Sequence, residues 1–148
     1  MKSDIGKFKE QIYNLIDYLK EISKNDSTIE KIAIKANLGI SANPREVIKL
    51  FAEEITPFAD QMLTGNDGFF LDKTDFFKAK NEEDSNMFND IITNLKTLWI
   101  KFSIEEREKV IRYFKLLIIL SCLVTKSEEL RSIINKYRDI KNPLVFDH

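Results

Sequence analysis

The apolar run Leu116 to Val124, broken only by Ser121, constrains this chain more than any other feature. It is about half the ~20 apolar residues that a membrane-spanning helix needs. It continues an amphipathic stretch that begins after Ser103. Together the two predict one helix over 104 to about 125, apolar nearly all round in its second half. Such a helix belongs in the middle of a bundle, with amphipathic helices packed around it.

The rest of the chain supplies those neighbours. Ser3 or Asp4 caps a first helix through about Lys24, where Ile5, Phe8, Ile12, Leu15, Ile16, Leu19 and Ile22 recur at three- and four-residue steps. Ser27 with Glu30 has the S-x-x-E form of a capping box and opens a second helix, for which Gly39 is the expected stop. Asn43 as N-cap, Pro44 at the first helical position and Glu46 three residues after the cap start a third. It is expected to end at Thr64-Gly65 and to kink or split near Ile55-Thr56, because Pro57 lacks an N–H and crowds the preceding turn. Asp84 or Ser85 caps a fourth helix, to about Phe102, with the stripe Met87, Phe88, Ile91, Ile92, Leu95, Leu98, Trp99 and Phe102. Ser103 with Glu106 is a second capping box and opens the fifth, 104 to about 125. Ser127 caps the last, carrying Leu130, Ile133, Ile134, Tyr137 and Ile140 and ending at Asn142-Pro143. Residues 65–84 read as irregular, with a short helical turn from Asp72 or Thr74, and 142–148 as a short tail. There is no repeat, no strand pattern and no Gly/Ser linker. The expectation is an all-α, single-domain bundle of about six helices over residues 1–148, with a long aromatic and acidic loop between helices three and four.

A chain of 148 residues buries enough surface to hold one domain without a metal or disulfide staple. Hydrophobic residues are 43% and the net charge is −1, which excludes intrinsic disorder and a strongly basic nucleic-acid binder as whole-chain descriptions. Met1-Lys2-Ser3-Asp4 leads into a charged amphipathic stretch, so no signal peptide is expected. Cys122, the single cysteine, lies in the apolar run and reads as a buried, inert thiol, with a reducing, cytoplasmic setting the simplest one. Lysine exceeds arginine 18 to 5, and isoleucine and asparagine number 20 and 11, a bias that AT-rich codons produce.

Few residues carry chemistry. The only histidine is the terminal His148, which removes the commonest general base and every Ser-His-Asp or Cys-His arrangement. No cofactor or metal site is expected, since Cys/His clusters, paired Glu-x-x-His and glycine-rich phosphate loops are missing from the sequence. Asp67, Asp72 and Asp75 do not have calcium-loop spacing. Glu53-Glu54 and Glu82-Glu83-Asp84 are sequence neighbours that point about 100° apart on a helix and read as solvated faces. An enzyme would need two or more of Glu53, Glu54, Asp60, Asp72 or Asp75 to converge in a pocket, and no enzymatic activity is expected.

Charge and aromatic placement say more. From Asp60 to Asp90 eight acidic residues stand against three basic, and from Lys96 to Lys141 eleven basic against six acidic. Arg107, Lys109, Arg112 and Lys115 gather near the start of the fifth helix. Glu105, Glu106 and Glu108 interleave with them, so a nucleic-acid surface there is the lesser reading. Phe69, Phe70, Phe76 and Phe77 fall within nine residues and either cap the core or face a partner. Phe69, Phe70, Phe76, Phe77, Trp99, Arg107 and Arg112 are the expected partner contacts, with core packing the competing role for the aromatics.

The stretch Phe69 to Leu120 resembles short helical proteins of the nucleocytoplasmic large DNA viruses. In these an aromatic and acidic segment precedes a Trp-containing helix, a Leu-Ser or Phe-Ser cap, and a segment E-x-K-x-x-I-W-K-Y-L-x-x-L. Here the residues are Leu98-Trp99-Ile100-Lys101-Phe102-Ser103 and then Glu106 to Leu117, departing at Ile111, where that pattern prefers Trp. The likeness covers about a third of the chain. It implies a virion-associated or accessory helical protein, in host cytoplasm or virion, with no known activity. The expected function is docking a protein partner or a second copy. The alternative is a host-modulating protein of apoptosis or innate signalling that holds a partner helix in an apolar groove; its Asn-Trp-Gly-Arg type signature is missing from the sequence.

Overall fold

In a computed structural model of the chain, residues 3–24, 26–65, 93 and 95–138 are described. Every regular element among them is helical: α1 (Asp4–Ile22), α2 (Ser27–Ala42), α3 (Pro44–Leu63), a 3-10 turn (Trp99–Lys101), α4 (Ile104–Thr125) and α5 (Glu128–Arg138). Residues 95–98 are helical and run into the 3-10 turn. The fold is all-α, as the periodicity requires. The aromatic and acidic segment, the start of the helix expected from Asp84, Ile140 and the 142–148 tail lie outside the described residues.

Local chemistry explains most of the boundaries. Ser3 caps α1, its Oγ accepting from Gly6 N–H at 3.1 Å. Asn43 Oδ1 accepts from Glu46 N–H at 3.3 Å with Pro44 in the first turn, so α3 starts where the sequence places it. Ser103 and Glu106 form the complete capping box: Glu106 N–H donates to Ser103 Oγ at 3.1 Å, and Ser103 N–H donates to Glu106 Oε1 at 2.8 Å. Ser127 Oγ accepts from Leu130 N–H at 3.2 Å and starts α5. Gly65, with φ +78°, closes α3 in the left-handed conformation.

Three boundaries differ from expectation. Ser27 is inside α2, and Glu30 N–H reaches the Asp26 carbonyl at 3.2 Å, which puts Asp26 in the cap position. Gly39 does not stop α2. The helix runs on to Ala42 because Ile40 belongs to the core, and the turn to α3 is then made by Asn43 alone. Of the kink or split expected at Pro57, the split does not occur, since α3 is continuous from Pro44 to Leu63. The proline ring is exposed, while Ile55, Ala59 and Met62 on either side are buried. Their packing on the core outweighs one missing ladder bond.

α4 lies against α1, α3 and α5, and α2 packs on both α1 and α3. Val110, Ile111, Phe114 and the unbroken set Leu117 to Cys122 on α4 are buried. This is the central helix that the apolar run predicts. Around it stand Phe8, Ile12, Leu15 and Leu19 of α1, Ile48, Phe51 and Ile55 of α3, and Leu130 and Ile134 of α5. Phe8 meets Phe51 edge-on, with centroids 5.6 Å apart at 69°. The two polar groups in the run are satisfied. Ser121 Oγ donates to the Ile118 carbonyl at 2.8 Å, and the buried Cys122 thiol donates to the Ser127 carbonyl at 3.5 Å across the α4–α5 corner. Lys126 makes that corner with φ 59°, its N–H donating to the Cys122 carbonyl at 2.7 Å.

Candidate interaction surface

The expected partner contacts divide sharply. Phe69, Phe70, Phe76 and Phe77 lie outside the described residues. Trp99 is fully buried, at 0% exposure, with its ring 6.1 Å from that of Phe102 at 68°. The tight 3-10 turn brings residues 95, 99 and 102 inward together. Trp99 is therefore a core residue, and its place among the partner contacts is corrected. Arg107 also acts inward. Half-buried, it donates from Nε at 3.0 Å to the Trp99 carbonyl, which also accepts the Phe102 N–H at 3.1 Å, so the side chain adds a second bond to the 3-10 turn.

Other charges at the start of α4 are likewise engaged with the fold. Glu106 completes the capping box. Lys109 Nζ lies 4.4 Å from the centre of the Tyr18 ring, a cation–π contact, and Tyr18 in turn is 6.1 Å from Tyr113. Burial raises the pKa of both tyrosines, with Glu106 and Glu21 adding to the shift at Tyr18 and Asp17 and Glu21 at Tyr113. Lys115 is half-buried, and its Nζ is 3.6 Å from the point a Cβ on Gly65 would occupy. Its pKa is lowered by burial and further by Arg112, while the C-terminal end of α3 offers it a favourable dipole. Arg112 itself is exposed. Of this cationic cluster, Arg107 thus ties α4 to the 3-10 turn and Lys109 ties it to α1.

Large aliphatic side chains face solvent elsewhere. Ile34 and Leu38 on α2 are 62% and 68% exposed, and Ile100 and Ile104, on either side of the Phe102–Ser103 corner, are 69% and 72% exposed. Ile34 and Leu38 are four residues apart and therefore neighbours on one helical face. α2 buries Ile29, Ile32, Ala33, Ala36 and Ile40 on its other side. A helix apolar on both sides is ordinarily covered on both. The signal for this was in the sequence: Ile34 and Leu38 fall outside the stripe of Ile29, Ile32, Ala33 and Ala36.

A cleft of about 530 Å³ opens between α3 and the α4–α5 corner, lined in part by Arg45, Lys49, Glu53, Thr56, Thr125 and Glu129. Its charged lining is unlike an apolar groove for a partner helix. Of the carboxylates considered for catalysis, Glu53 lines this cleft and Glu54 and Asp60 do not. Asp60 instead accepts the Tyr137 hydroxyl, through Oδ1 at 2.5 Å and through its carbonyl at 3.2 Å, which ties α5 to α3 and pushes the Tyr137 pKa up to about 12. Asp67, Asp72, Asp75, Glu82, Glu83, Asp84 and His148 lie outside the described residues. Among the described residues no three His, Cys, Asp or Glu side chains gather as metal ligands, and no helix is long and apolar enough to cross a membrane. No family model, curated protein or solved structure matches the chain.

Proposed function

We propose that this chain is a non-enzymatic helical interaction protein that docks a protein partner through the outward face of α2. The observation that carries this reading is the exposure of Ile34 and Leu38 on one face of a helix whose opposite face is already packed. Ile100 and Ile104 offer a second apolar contact, with exposed Arg112 also on α4. Phe69, Phe70, Phe76 and Phe77 belong to the same reading from the sequence alone. The resemblance to helical proteins of large DNA viruses supports a virion-associated or accessory role, in host cytoplasm or virion.

The test compares the wild-type chain with Ile34→Ser/Leu38→Ser. Both side chains are exposed, so the circular dichroism spectrum and melting point should hold. Covering two aliphatic side chains contributes about 3 kcal/mol, so the variant should bind its partner on the order of a hundredfold more weakly. Affinity capture from the native source, followed by titration of the purified captured protein, reads this. Sedimentation of both chains reads the self-associating alternative. Equal partner binding by the two chains would remove α2 as the docking face.

A further inference from the structure

Arg45, Lys49, Glu53 and Thr56 succeed one another at three- and four-residue steps and so share one face of α3. Thr125, Ser127 and Glu129 stand across the cleft from them, at the end of α4 and the start of α5. The cleft is open to solvent, and its volume of about 530 Å³ suits a small molecule. Its charges are sorted. The two cations sit in the first turns of α3, Glu53 follows one turn later, and Glu129 belongs to the first turn of α5. Arg45 and Glu53 are separated by about 12 Å of helix rise. Among the described residues no ion pair or hydrogen bond occupies any of the four charged ends.

The hydroxyls add polarity of a definite sense. Thr56 Oγ1 already donates to the Ala52 carbonyl at 2.5 Å, and Thr125 Oγ1 to the Ser121 carbonyl at 2.8 Å. Their protons are used, so each offers a ligand only lone pairs. Ser127 Oγ is the reverse: it accepts from Leu130 N–H and keeps its proton to donate. The cleft thus combines cations and one hydroxyl donor with carboxylates and two hydroxyl acceptors. A simple anion would be repelled by Glu53 and Glu129, and a simple cation by Arg45 and Lys49.

We infer that this cleft binds a small zwitterion, its phosphate or carboxylate held by Arg45 and Lys49 and its amine by Glu53 and Glu129. The planar guanidinium of Arg45 suits a two-point grip on either anionic group. The site stands independently of α2, and its occupation needs no docking partner.

Amide shifts of the full chain, followed by nuclear magnetic resonance at fixed ionic strength, test this. The probes are O-phosphoethanolamine, 4-aminobutyrate, inorganic phosphate and ethanolamine. At least one zwitterion should shift residues 45–56 and 125–129 saturably, at least tenfold more tightly than phosphate or ethanolamine. The two zwitterions distinguish a phosphate from a carboxylate head. Arg45→Ala/Lys49→Ala should weaken that binding at least tenfold with the remaining spectrum unchanged. Glu53→Gln should weaken the zwitterion and strengthen inorganic phosphate. Absence of saturable shifts from both zwitterions up to about 10 mM overturns the inference. So does phosphate binding as tightly as the better zwitterion, or zwitterion binding that survives the double variant.

Discussion

Two glycines bear opposite constraints. Gly39 lies inside α2 with ordinary helical geometry, and a Cβ added there would meet Val47 Cγ2 at 3.6 Å, a normal packing distance. Gly65 has φ +78° and terminates α3. Gly39→Ala should therefore stabilise the protein by about 0.5–1 kcal/mol, since alanine loses less backbone freedom in a helix. Gly65→Ala should destabilise it by about 1–2 kcal/mol, since an L residue is strained in the left-handed conformation. Urea midpoints of the two variants, moving in opposite directions, check both. A glycine in a sequence marks a place where the chain is permitted to turn. At Gly39 the burial of Ile40, one turn beyond Ala36 on the same apolar stripe, carries the helix onward.

At the scale of elements, capping is the most legible feature and helix pairing the least. The S-x-x-E pattern at Ser103 becomes a reciprocal box because both partners are within three residues, and no distant contact is needed to form it. The Tyr137–Asp60 bond joins residues 77 positions apart and has no local signature. It gives α5 a pH-dependent hold on α3. The hydrogen bond to Asp60, then burial, raise the Tyr137 pKa from 10.0 to about 12. A raised pKa means that the stabilisation is complete below pH 10 and is lost as pH rises toward 12. Thermal melting between pH 9 and 12 should show a steeper loss for the wild type than for Tyr137→Phe, with Tyr18 and Tyr113 contributing equally to both. Parallel curves would mean that the bond does not persist in solution.

For the whole molecule, the decisive feature is the central position of α4. Leu117 is fully buried in the shared core, whereas Leu123 on the same helix is 46% exposed. Leu117→Ala should cost about 2–5 kcal/mol in denaturant unfolding, and Leu123→Ala less than about half of that. Similar losses at the two positions would show that something further covers Leu123.

Sequence alone is enough for the all-α class, for the N-termini of the five described α-helices to within a residue, and for the central role of the 104–125 helix. Each follows from contacts within one or two turns or from an apolar run that has to be buried. Tertiary structure alone decided that Trp99 and Arg107 serve the fold, that Ile34 and Leu38 are left outside it, and that Arg45, Lys49, Glu53 and Glu129 border one cleft. Periodicity shows which residues share a face of a helix. Which face becomes the inside depends on the neighbours that pack against it, and those come from remote parts of the chain.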